Sequence, residues 1–379
     1  MYTIPMNYDR TIYNTLLKNI GKKPIIILYG ARQVGKTTLI KTILRIFTKT
    51  LYLQGDDPKD ALLLQHRSAD ELSELVSGYD LVVIDEAQRI EDIGISLKLI
   101  ADNVENAKVI ASGSSSFELA NKLNEPLTGR NRKFYLYPLS IGELVLAHGK
   151  INIQKELETY MTFGMYPKIV SAESREEKAL LVKELAGDYL FKDLFMFGDI
   201  RNFFAFEKLI KLLALCIGNE ISYSELAKEV GISRSTVLNY VNLLEQAFII
   251  FRMTPLYTNK TKEINKSHKI YFFDLGIRNA IINNTDPMEL RLDKGAIFEN
   301  FFIAEKIKQR EYSGRTSEIH FWKSRNGAEV DFVEVSSGQV EAFECKWKEK
   351  VNAPKAWSET YPTSVFKSVN TENVIDYTS

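Results

Sequence analysis

Four residues near the beginning of the chain have the types and the spacing of a phosphate-binding loop. Gly30, Gly35, Lys36 and Thr37 complete the pattern G-x-x-x-x-G-K-[ST]. In such a loop, backbone N–H groups curl around a phosphate, the lysine supplies a point charge, and the threonine hydroxyl offers an oxygen to Mg²⁺. The pattern predicts a nucleoside triphosphate site, and the alternative is a chance glycine-rich turn.

The residues on either side of the loop predict the elements that such a site needs. The branched apolar run Ile25–Tyr29 indicates a buried parallel strand, and apolar residues at helical spacing follow Thr37. The N-terminus of that helix adds a positive dipole to the loop. This strand-before, helix-after context favours the phosphate loop over the chance turn.

A pair of acidic residues, Asp85 and Glu86, ends the apolar run Leu81–Ile84. In phosphate-transfer sites an acid at the carboxyl edge of a strand holds Mg²⁺, and we predict this role for Asp85. We predict that Glu86 orients and deprotonates the attacking water. The alternative is two solvated carboxylates at a strand end, but the position downstream of a phosphate loop favours catalysis.

Two serines follow the next strand candidate, Lys108–Ala111. Ligands of parallel sheets lie beyond the carboxyl ends of the strands, so Ser112 and Ser114 would face the same crevice. There a hydroxyl can sense the γ-phosphate or position water. Ordinary turn chemistry is the alternative for each serine.

Two arginines are candidates for an arginine finger. Arg130 and Arg132 lie at the beginning of a predicted strand, Lys133–Tyr137. Either could approach the γ-phosphate of its own chain or that of a neighbour in an oligomer. An exposed structural arginine is the alternative for each of them.

The composition is that of an ordinary globular chain without a global nucleic-acid-binding charge. The 379 residues include 49 Lys and Arg and 49 Asp and Glu, so any basic surface must be local. Cys216 and Cys345 lie far apart without a metal-ligand motif, which fits a reducing compartment. The N-terminus lacks the apolar region of a signal peptide, and no apolar run could span a membrane. We therefore expect a cytoplasmic protein.

The chain is long enough for several domains of the α/β class. Residues 1–150 alternate strand and helix patterns, which predicts a three-layer P-loop ATPase domain with a parallel sheet. Residues 151–215 carry aromatic and apolar residues at helical spacing and predict a helical linker or lid. The strands of the first domain are expected at Ile25–Tyr29, Leu51–Leu53, Leu81–Ile84, Lys108–Ala111 and Lys133–Tyr137.

Residues 216–290 have the pattern of a winged helix-turn-helix. Ser222 or Ser224 can cap a first helix, Gly231 makes the turn, and Ser233 caps the second helix. A module for packing or protein contact is the alternative to DNA binding, since the exposed face of the second helix has only one arginine. The side chains expected to face DNA are Arg234, Ser235, Thr236 and Asn239.

Residues 291–379 carry acids and a lysine in a D…ExK arrangement. Asp331, Glu344 and Lys346 fall on successive strand candidates, and Glu344 and Lys346 share one strand face because they are two apart. With Glu299 from a helix, the carboxylates would hold Mg²⁺ and Lys346 would position or activate water for phosphodiester attack. A small α/β domain of the restriction-endonuclease-like kind is predicted, although E-x-K also arises by chance and fold does not carry function. The strands are expected at 318–323, 328–335 and 340–348.

The chain resembles a bacterial and archaeal family of AAA-type ATPases, in which a P-loop domain precedes a C-terminal region of unknown function. Met165 departs from the resemblance, because glycine is expected more often before the Tyr-Pro pair. The resemblance covers nearly the whole chain, through the blocks GARQVGKTTL, VVIDEAQRI, ASGSSS, GRNRKFYLYPLSIGEL, FGMYP, GISRSTVLNYVNLLE, KIYFFDLGIRNAI, FEN and EVDF…ECK.

The resemblance implies that the nucleotide is ATP, bound with Mg²⁺ at a Walker A loop. It implies Walker B acids at Asp85 and Glu86, and a winged helix before a restriction-endonuclease-like domain. It implies no particular substrate. The residues expected to contact ATP are Gly30, Ala31, Arg32, Gln33, Val34, Gly35, Lys36, Thr37 and Thr38.

Three functions follow from this organisation. The first is an ATP-driven switch for a C-terminal output domain, and the second is an ATP-regulated DNA nuclease. The third is a winged-helix DNA-binding regulator, which the zero net charge disfavours. DNA and a protein are the partners considered, together with self-association, which would decide between arginine contacts within one chain and across an interface.

Overall fold

The computed structural model describes residues 8–113, 127–187, 200, 202–256 and 268–379. These residues divide into two compact units. The N-terminal unit contains 9–138 and 246–248, and the C-terminal unit contains Tyr8, 139–245 and 249–379. In the described ranges no helix is both long and apolar enough to cross a membrane. The finer division into four domains stays a prediction.

The N-terminal unit is built on a sheet of five parallel strands, which confirms the predicted α/β class. The strand order is β2-β3-β4-β1-β5, so β4 separates the strand before the phosphate loop from the strand that ends in Asp85. The first strand is buried along its whole length, as expected of an apolar run inside a parallel sheet. The elements are α1 (Ile12–Asn19), β1 (Ile25–Gly30), α2 (Lys36–Leu44), β2 (Thr50–Gln54), α3 (Pro58–Leu62), α4 (Ala69–Val76), β3 (Leu81–Asp85), a 3₁₀ turn (Ala87–Arg89), α5 (Ile93–Asn103), β4 (Val109–Gly113) and β5 (Asn131–Leu136).

The C-terminal unit contains a mixed sheet of seven strands in the order β12-β11-β10-β9-β7-β8-β6. Its helices are α6 (Ile141–His148), α7 (Lys150–Phe163), α8 (Pro167–Val170), α9 (Arg175–Gly187), α10 (Phe203–Leu215), α11 (Tyr223–Val230), α12 (Arg234–Gln246), α13 (Leu275–Ile281), a 3₁₀ turn (Met288–Leu290), α14 (Lys294–Ser313), α15 (Lys355–Thr360) and α16 (Val374–Thr378). Its strands are β6 (Glu220–Ile221), β7 (Ile250–Pro255), β8 (His268–Phe272), β9 (Glu318–Lys323), β10 (Glu329–Ser336), β11 (Gln339–Cys345) and β12 (Val365–Val369).

One strand, β7, joins the two halves of this sheet. It pairs antiparallel with β8 through Ile250–Met253 and parallel with β9 through Thr254 and Pro255. The strands of the predicted winged helix and those of the predicted nuclease-like region therefore belong to one sheet.

The helix-turn-helix segment has the predicted order of elements. The Ser222 hydroxyl accepts a hydrogen bond from the Glu225 N–H at 3.3 Å and so caps α11. Gly231 then adopts a left-handed conformation with φ of 79°, and the Ser233 hydroxyl accepts from the Thr236 N–H at 3.1 Å. These contacts explain both helix starts and the turn between them. Most of the predicted wing tip lies at 257–267, outside the described residues.

A buried ion pair on α14 holds the first residues of the C-terminal unit. The Lys308 ammonium donates to Glu305 at 2.7 Å and to the Leu139 carbonyl at 3.0 Å. The second Glu305 oxygen accepts from the Ile141 N–H at 2.6 Å. Both side chains are fully buried, so these extra hydrogen bonds are what makes the pair tolerable.

The segment FGMYP packs against α13 through two glycines. Gly164 has φ of 82°, and a Cβ there would overlap the Asp274 carboxylate, which accepts from the Met165 N–H at 2.7 Å. A Cβ on Gly276 would overlap the carbonyl group of Phe163. Met165 itself is buried, so the departure from the resemblance is accommodated locally.

We predict that Gly276→Ala destabilises the protein by about 3 kcal/mol or more, because the added methyl meets backbone rather than a movable side chain. Gly295→Ala is the matched control, since Gly295 lies in α14 with open space around it and alanine favours a helix by about 0.5–1 kcal/mol. Thermal unfolding followed by circular dichroism compares the two variants. Equal melting temperatures would contradict the close approach of α13 to Phe163.

Candidate functional site

The phosphate loop connects the buried strand β1 to helix α2. The loop turns through Gln33 and Gly35, whose φ angles are 60° and 99°, and α2 then begins at Lys36. At the strand end, a Cβ on Gly30 would overlap the Leu136 carbonyl of β5. The two glycines of the pattern thus serve different needs, close strand packing and a left-handed turn.

Lys36 is folded back onto its own loop. Its ammonium donates to the Gly30 and Ala31 carbonyl oxygens, each at 2.9 Å, and the side chain is 5% exposed. A buried positive charge held by carbonyl oxygens can exchange them for phosphate oxygens at little desolvation cost, because its water has already been removed. This placement fits the role predicted for Lys36.

Asp85 is the hub of the site. One carboxylate oxygen accepts from the Thr37 hydroxyl at 2.7 Å and from the Tyr52 hydroxyl at 2.8 Å. The other accepts from the Ser112 hydroxyl and from the Glu86 N–H, the latter at 3.2 Å. The side chain is buried, so these donors satisfy a charge that would otherwise be costly. Burial, with the bond to Asp85, raises the pKa of the Tyr52 hydroxyl.

The oxygens of Thr37 and Asp85 suit a magnesium ion. They lie 2.7 Å apart, and neighbouring ligands of an octahedral Mg²⁺ are separated by about 2.9 Å. Both belong to the hard oxygen donors that Mg²⁺ prefers. The residues present therefore fit the ion that the sequence predicts.

Glu86 occupies a strained backbone position. Its φ and ψ are 50° and 42°, a left-handed conformation that costs a non-glycine residue on the order of 1 kcal/mol or more. The Gln88 side chain donates to the Glu86 carboxylate at 2.6 Å and thereby fixes its direction. Gly55 packs against the Glu86 backbone, and a Cβ on Gly55 would overlap the Glu86 carbonyl oxygen. Such strain at a strand end agrees with a carboxylate aimed for chemistry.

Sequence reasoning missed Tyr52 and Gln88. Tyr52 belongs to an expected strand, but nothing in its local pattern shows that its hydroxyl reaches Asp85 from the adjacent strand. Gln88 stands two residues after Glu86, and a polar residue so close to a predicted base was a usable signal.

Of the two serines, Ser112 lies where the sequence predicted. It is the penultimate residue of β4, opposite Leu28 of β1, and its buried hydroxyl donates to Asp85. Its partner in the structure is thus the acid that the sequence predicts to bind Mg²⁺. Ser114 falls outside the described residues.

The two arginines lie at the amino end of β5, whereas the phosphate loop follows the carboxyl end of β1. Arg130 precedes β5, where its carbonyl accepts from the Ile25 N–H at 3.3 Å, and its guanidinium binds Asp102 at 2.5 Å and 3.1 Å. Arg132 donates to the Asn19 side chain at 2.6 Å. The strand register places Arg130 level with Pro24, six residues or about 20 Å from Gly30 at the start of the phosphate loop. This placement disfavours contact of Arg130 with a nucleotide in its own chain, and contact within the chain and across an interface both stay predictions.

The C-terminal unit gathers the second set of predicted residues. Asp331 of β10 accepts from the Cys345 N–H at 2.8 Å, and Glu344 accepts from the Lys346 ammonium at 2.7 Å. Glu299 of α14 accepts from the Tyr271 hydroxyl at 2.6 Å and from the Lys269 ammonium at 3.3 Å. Lys269 also binds Glu329.

Burial raises the pKa of all three acids in this cluster. Burial, together with the Asp331 charge, raises the pKa of Glu299 to about 8. Burial also raises the pKa of Asp331 and of Glu344. Burial lowers the pKa of Lys346, but the hydrogen bond to Glu344 and the Asp331 charge outweigh it and leave the pKa raised. Charges of both signs are thus concentrated in one buried place.

This cluster does not form a ready metal site. Among the described residues, no group of three or more His, Cys, Asp or Glu side chains is arranged to hold a metal ion. Two of the three acids that would be ligands already form ion pairs, Glu299 with Lys269 and Glu344 with Lys346. The predicted residues are close together, but the predicted magnesium coordination is not formed by them.

The exposed face of α12 carries the residues predicted to face DNA. Arg234, Ser235 and Asn239 are exposed and Thr236 is half-buried. The Ser233 hydroxyl bonds the hydroxyls of Ser235 and Thr236, each at 2.8 Å. Two of the four side chains are thus engaged within the helix cap.

Comparison with protein families agrees with this geometry. A model described as "AAA domain" matches residues 22–145. Models described as "Domain of unknown function (DUF8612)" and "Domain of unknown function (DUF4143)" match residues 154–288 and 294–363. These matches confirm the predicted resemblance, an AAA-type ATPase domain followed by a C-terminal domain of unknown function.

Similar proteins occur in bacteria and archaea. The chain is 26% identical over 334 residues to an uncharacterised protein of Mycobacterium tuberculosis, covering 87% of this chain and 72% of that protein. It is 27% identical to an uncharacterised protein of Methanocaldococcus jannaschii, covering 82% and 71%. The solved structure of a Walker-type ATPase of Pyrococcus abyssi matches with a TM-score of 0.50 and 15% identity, over 73% of this chain and 96% of that one. This last likeness supports the fold.

We predict that Ser112→Ala lowers the melting temperature more than Ser96→Ala. Ser112 donates to a buried carboxylate, and a hydrogen bond to a charged group contributes about 1.5–3 kcal/mol. Ser96 is equally buried but donates to the neutral Leu64 carbonyl at 2.6 Å, a bond of about 0.5–1.5 kcal/mol. Thermal unfolding of both variants is the measurement, and an equal loss would remove Ser112 from the Asp85 hub.

Proposed function

We propose that this chain, an AAA-type P-loop ATPase with a C-terminal domain of unknown function, binds ATP with Mg²⁺ and hydrolyses it as the input of a switch. One observation carries the proposal: Thr37 and Asp85 share a hydrogen bond at the carboxyl edge of the sheet, beside the buried ammonium of Lys36. Glu86 follows Asp85 in a strained conformation, with its carboxylate held by Gln88.

Each residue then has a distinct task. The Lys36 ammonium leaves the Gly30 and Ala31 carbonyls and binds the β- and γ-phosphates. The Thr37 and Asp85 oxygens would hold Mg²⁺, and the bound ion would supply positive charge to the phosphate oxygens. Glu86 accepts a proton from the attacking water. Its carboxylate lies next to Asp85 but takes no part in the hydrogen bonds that converge on Asp85.

Arg130 and Arg132 lie toward the amino end of β5, away from the phosphate loop. We infer that an arginine finger, Arg130 or Arg132, would come from a second copy of the chain. The Asp102 carboxylate holds Arg130 at the surface, where a neighbouring subunit can reach it.

The expected test separates binding from hydrolysis. Glu86→Gln should bind ATP with wild-type affinity but hydrolyse it about 10²–10⁴-fold more slowly, because the proton acceptor is lost. Lys36→Ala should lose ATP binding itself. Equilibrium binding of a fluorescent ATP analogue and release of inorganic phosphate measure the two properties. Wild-type turnover in Glu86→Gln would remove Glu86 from the role of base, and unchanged affinity in Lys36→Ala would contradict the site.

A second candidate function is cleavage of nucleic acid by the C-terminal unit. The observation that favours it is the gathering of Glu299, Asp331, Glu344 and Lys346, with one Glu344 oxygen buried and without a hydrogen-bond partner among the described residues. The ion pairs of Lys269 and Lys346 argue for a structural role instead.

Incubation with plasmid and oligonucleotides, in Mg²⁺ or Mn²⁺ and with or without ATP, decides between these functions. For a nuclease we expect cleavage that Lys346→Ala abolishes and Lys348→Ala retains, since Lys348 is an exposed lysine two residues further along. Salt-sensitive binding without cleavage would instead support the winged-helix regulator. A result with neither cleavage nor binding would leave the ATP-driven switch.

A further inference from the structure

Arg10 lies beside the phosphate loop although no motif includes it. One guanidinium nitrogen donates to the Val34 carbonyl of the loop at 2.6 Å, and the other donates to the Tyr137 carbonyl after β5 at 2.6 Å. The side chain is 9% exposed. The fold thus places a buried cation between two backbone segments, where its charge needs hydrogen-bond acceptors.

The contact with Val34 fixes the orientation of the Val34–Gly35 peptide unit of the phosphate loop. A peptide unit is planar and trans, so its C=O and N–H point in opposite directions. When Arg10 holds the Val34 oxygen, the Gly35 N–H is directed away from Arg10. Gly35 has φ of 99° and, as a glycine, would otherwise exchange easily between backbone conformations.

The contacts of Arg10 and of Lys36 differ in what nucleotide binding would do to them. Lys36 holds the Gly30 and Ala31 carbonyls with the same ammonium that must bind phosphate, so those bonds end when nucleotide arrives. Arg10 bonds the Val34 carbonyl inside the loop and the Tyr137 carbonyl outside it, so its guanidinium can keep both bonds when the loop binds phosphate. Arginine suits this task, since its two terminal nitrogens diverge and can each donate to a carbonyl on a different backbone segment.

We propose that Arg10 is a positioning residue of the phosphate loop: it holds the Val34–Gly35 peptide in the orientation that binds a diphosphate or triphosphate, with nucleotide present or absent. The proposal rests on the proposed function, because it assumes that the loop binds nucleotide. Arg10 contributes to affinity for the phosphates, not to the chemical step.

The test compares Arg10→Ala and Arg10→Lys with wild type by equilibrium binding of ADP and ATP and by steady-state hydrolysis. In Arg10→Ala we expect both dissociation constants and KM to rise about tenfold, with kcat within about twofold of wild type. Arg10→Lys should be intermediate, since lysine can keep one of the two carbonyl contacts. Arg67→Ala is the matched control, because Arg67 also donates to a backbone carbonyl, that of Leu62, at 3.1 Å and 3.2 Å.

A merely structural role would lower the melting temperature and leave KM unchanged, and that result would overturn the proposal. Unchanged affinity in Arg10→Lys would also overturn it, which keeps the test decisive if Arg10→Ala does not fold. A fall of kcat with constant KM would assign Arg10 to the chemical step instead and would equally contradict the proposal. Failure of the wild-type protein to bind ADP or ATP would contradict the proposed function, a result distinct from these.

Discussion

The nucleotide site depends on the hydrogen bonds that converge on the Asp85 carboxylate. Hydroxyls from α2, β2 and β4 and the N–H of Glu86 all end on this one buried group. Because a buried carboxylate must be satisfied, three strands and the helix after the loop are held in one register at their carboxyl ends. The loop, the acid and the candidate base owe their relative positions to that requirement.

The two acidic clusters of the chain differ in the kind of donor that surrounds them. At Asp85 the donors are hydroxyls and an amide, which leave the negative charge of the carboxylate available to a divalent ion. In the C-terminal unit the ammonium groups of Lys269 and Lys346 already balance the acids. Similar residue types therefore produce one site suited to a metal ion and another in which the counter-charge belongs to the protein.

The sequence was most informative where chemistry fixes residues at short spacing. The phosphate loop and the Asp85–Glu86 pair are local patterns, and each lies at the predicted strand end. Tyr52 and Arg10 were missed because their contacts join residues that no local pattern connects. Arg130 shows the same limit. Its residue type suggested a role, but the strand register places it at the amino end of β5, away from the phosphate loop. Alternating residues likewise indicated the C-terminal strands without showing that β9 would pair with β7.

That pairing of β7 with β9 has a consequence for the order in which the chain can fold during synthesis. Thr254 and His320, which face each other across the two strands, are 66 residues apart in sequence. Until β9 leaves the ribosome, β7 has a partner on one side only, and its other edge offers unpaired backbone groups. The helix-turn-helix segment can form early from local contacts, but its sheet is completed only when β9 and the strands after it arrive. An emerging polypeptide of this protein therefore carries an open strand edge until those strands leave the ribosome.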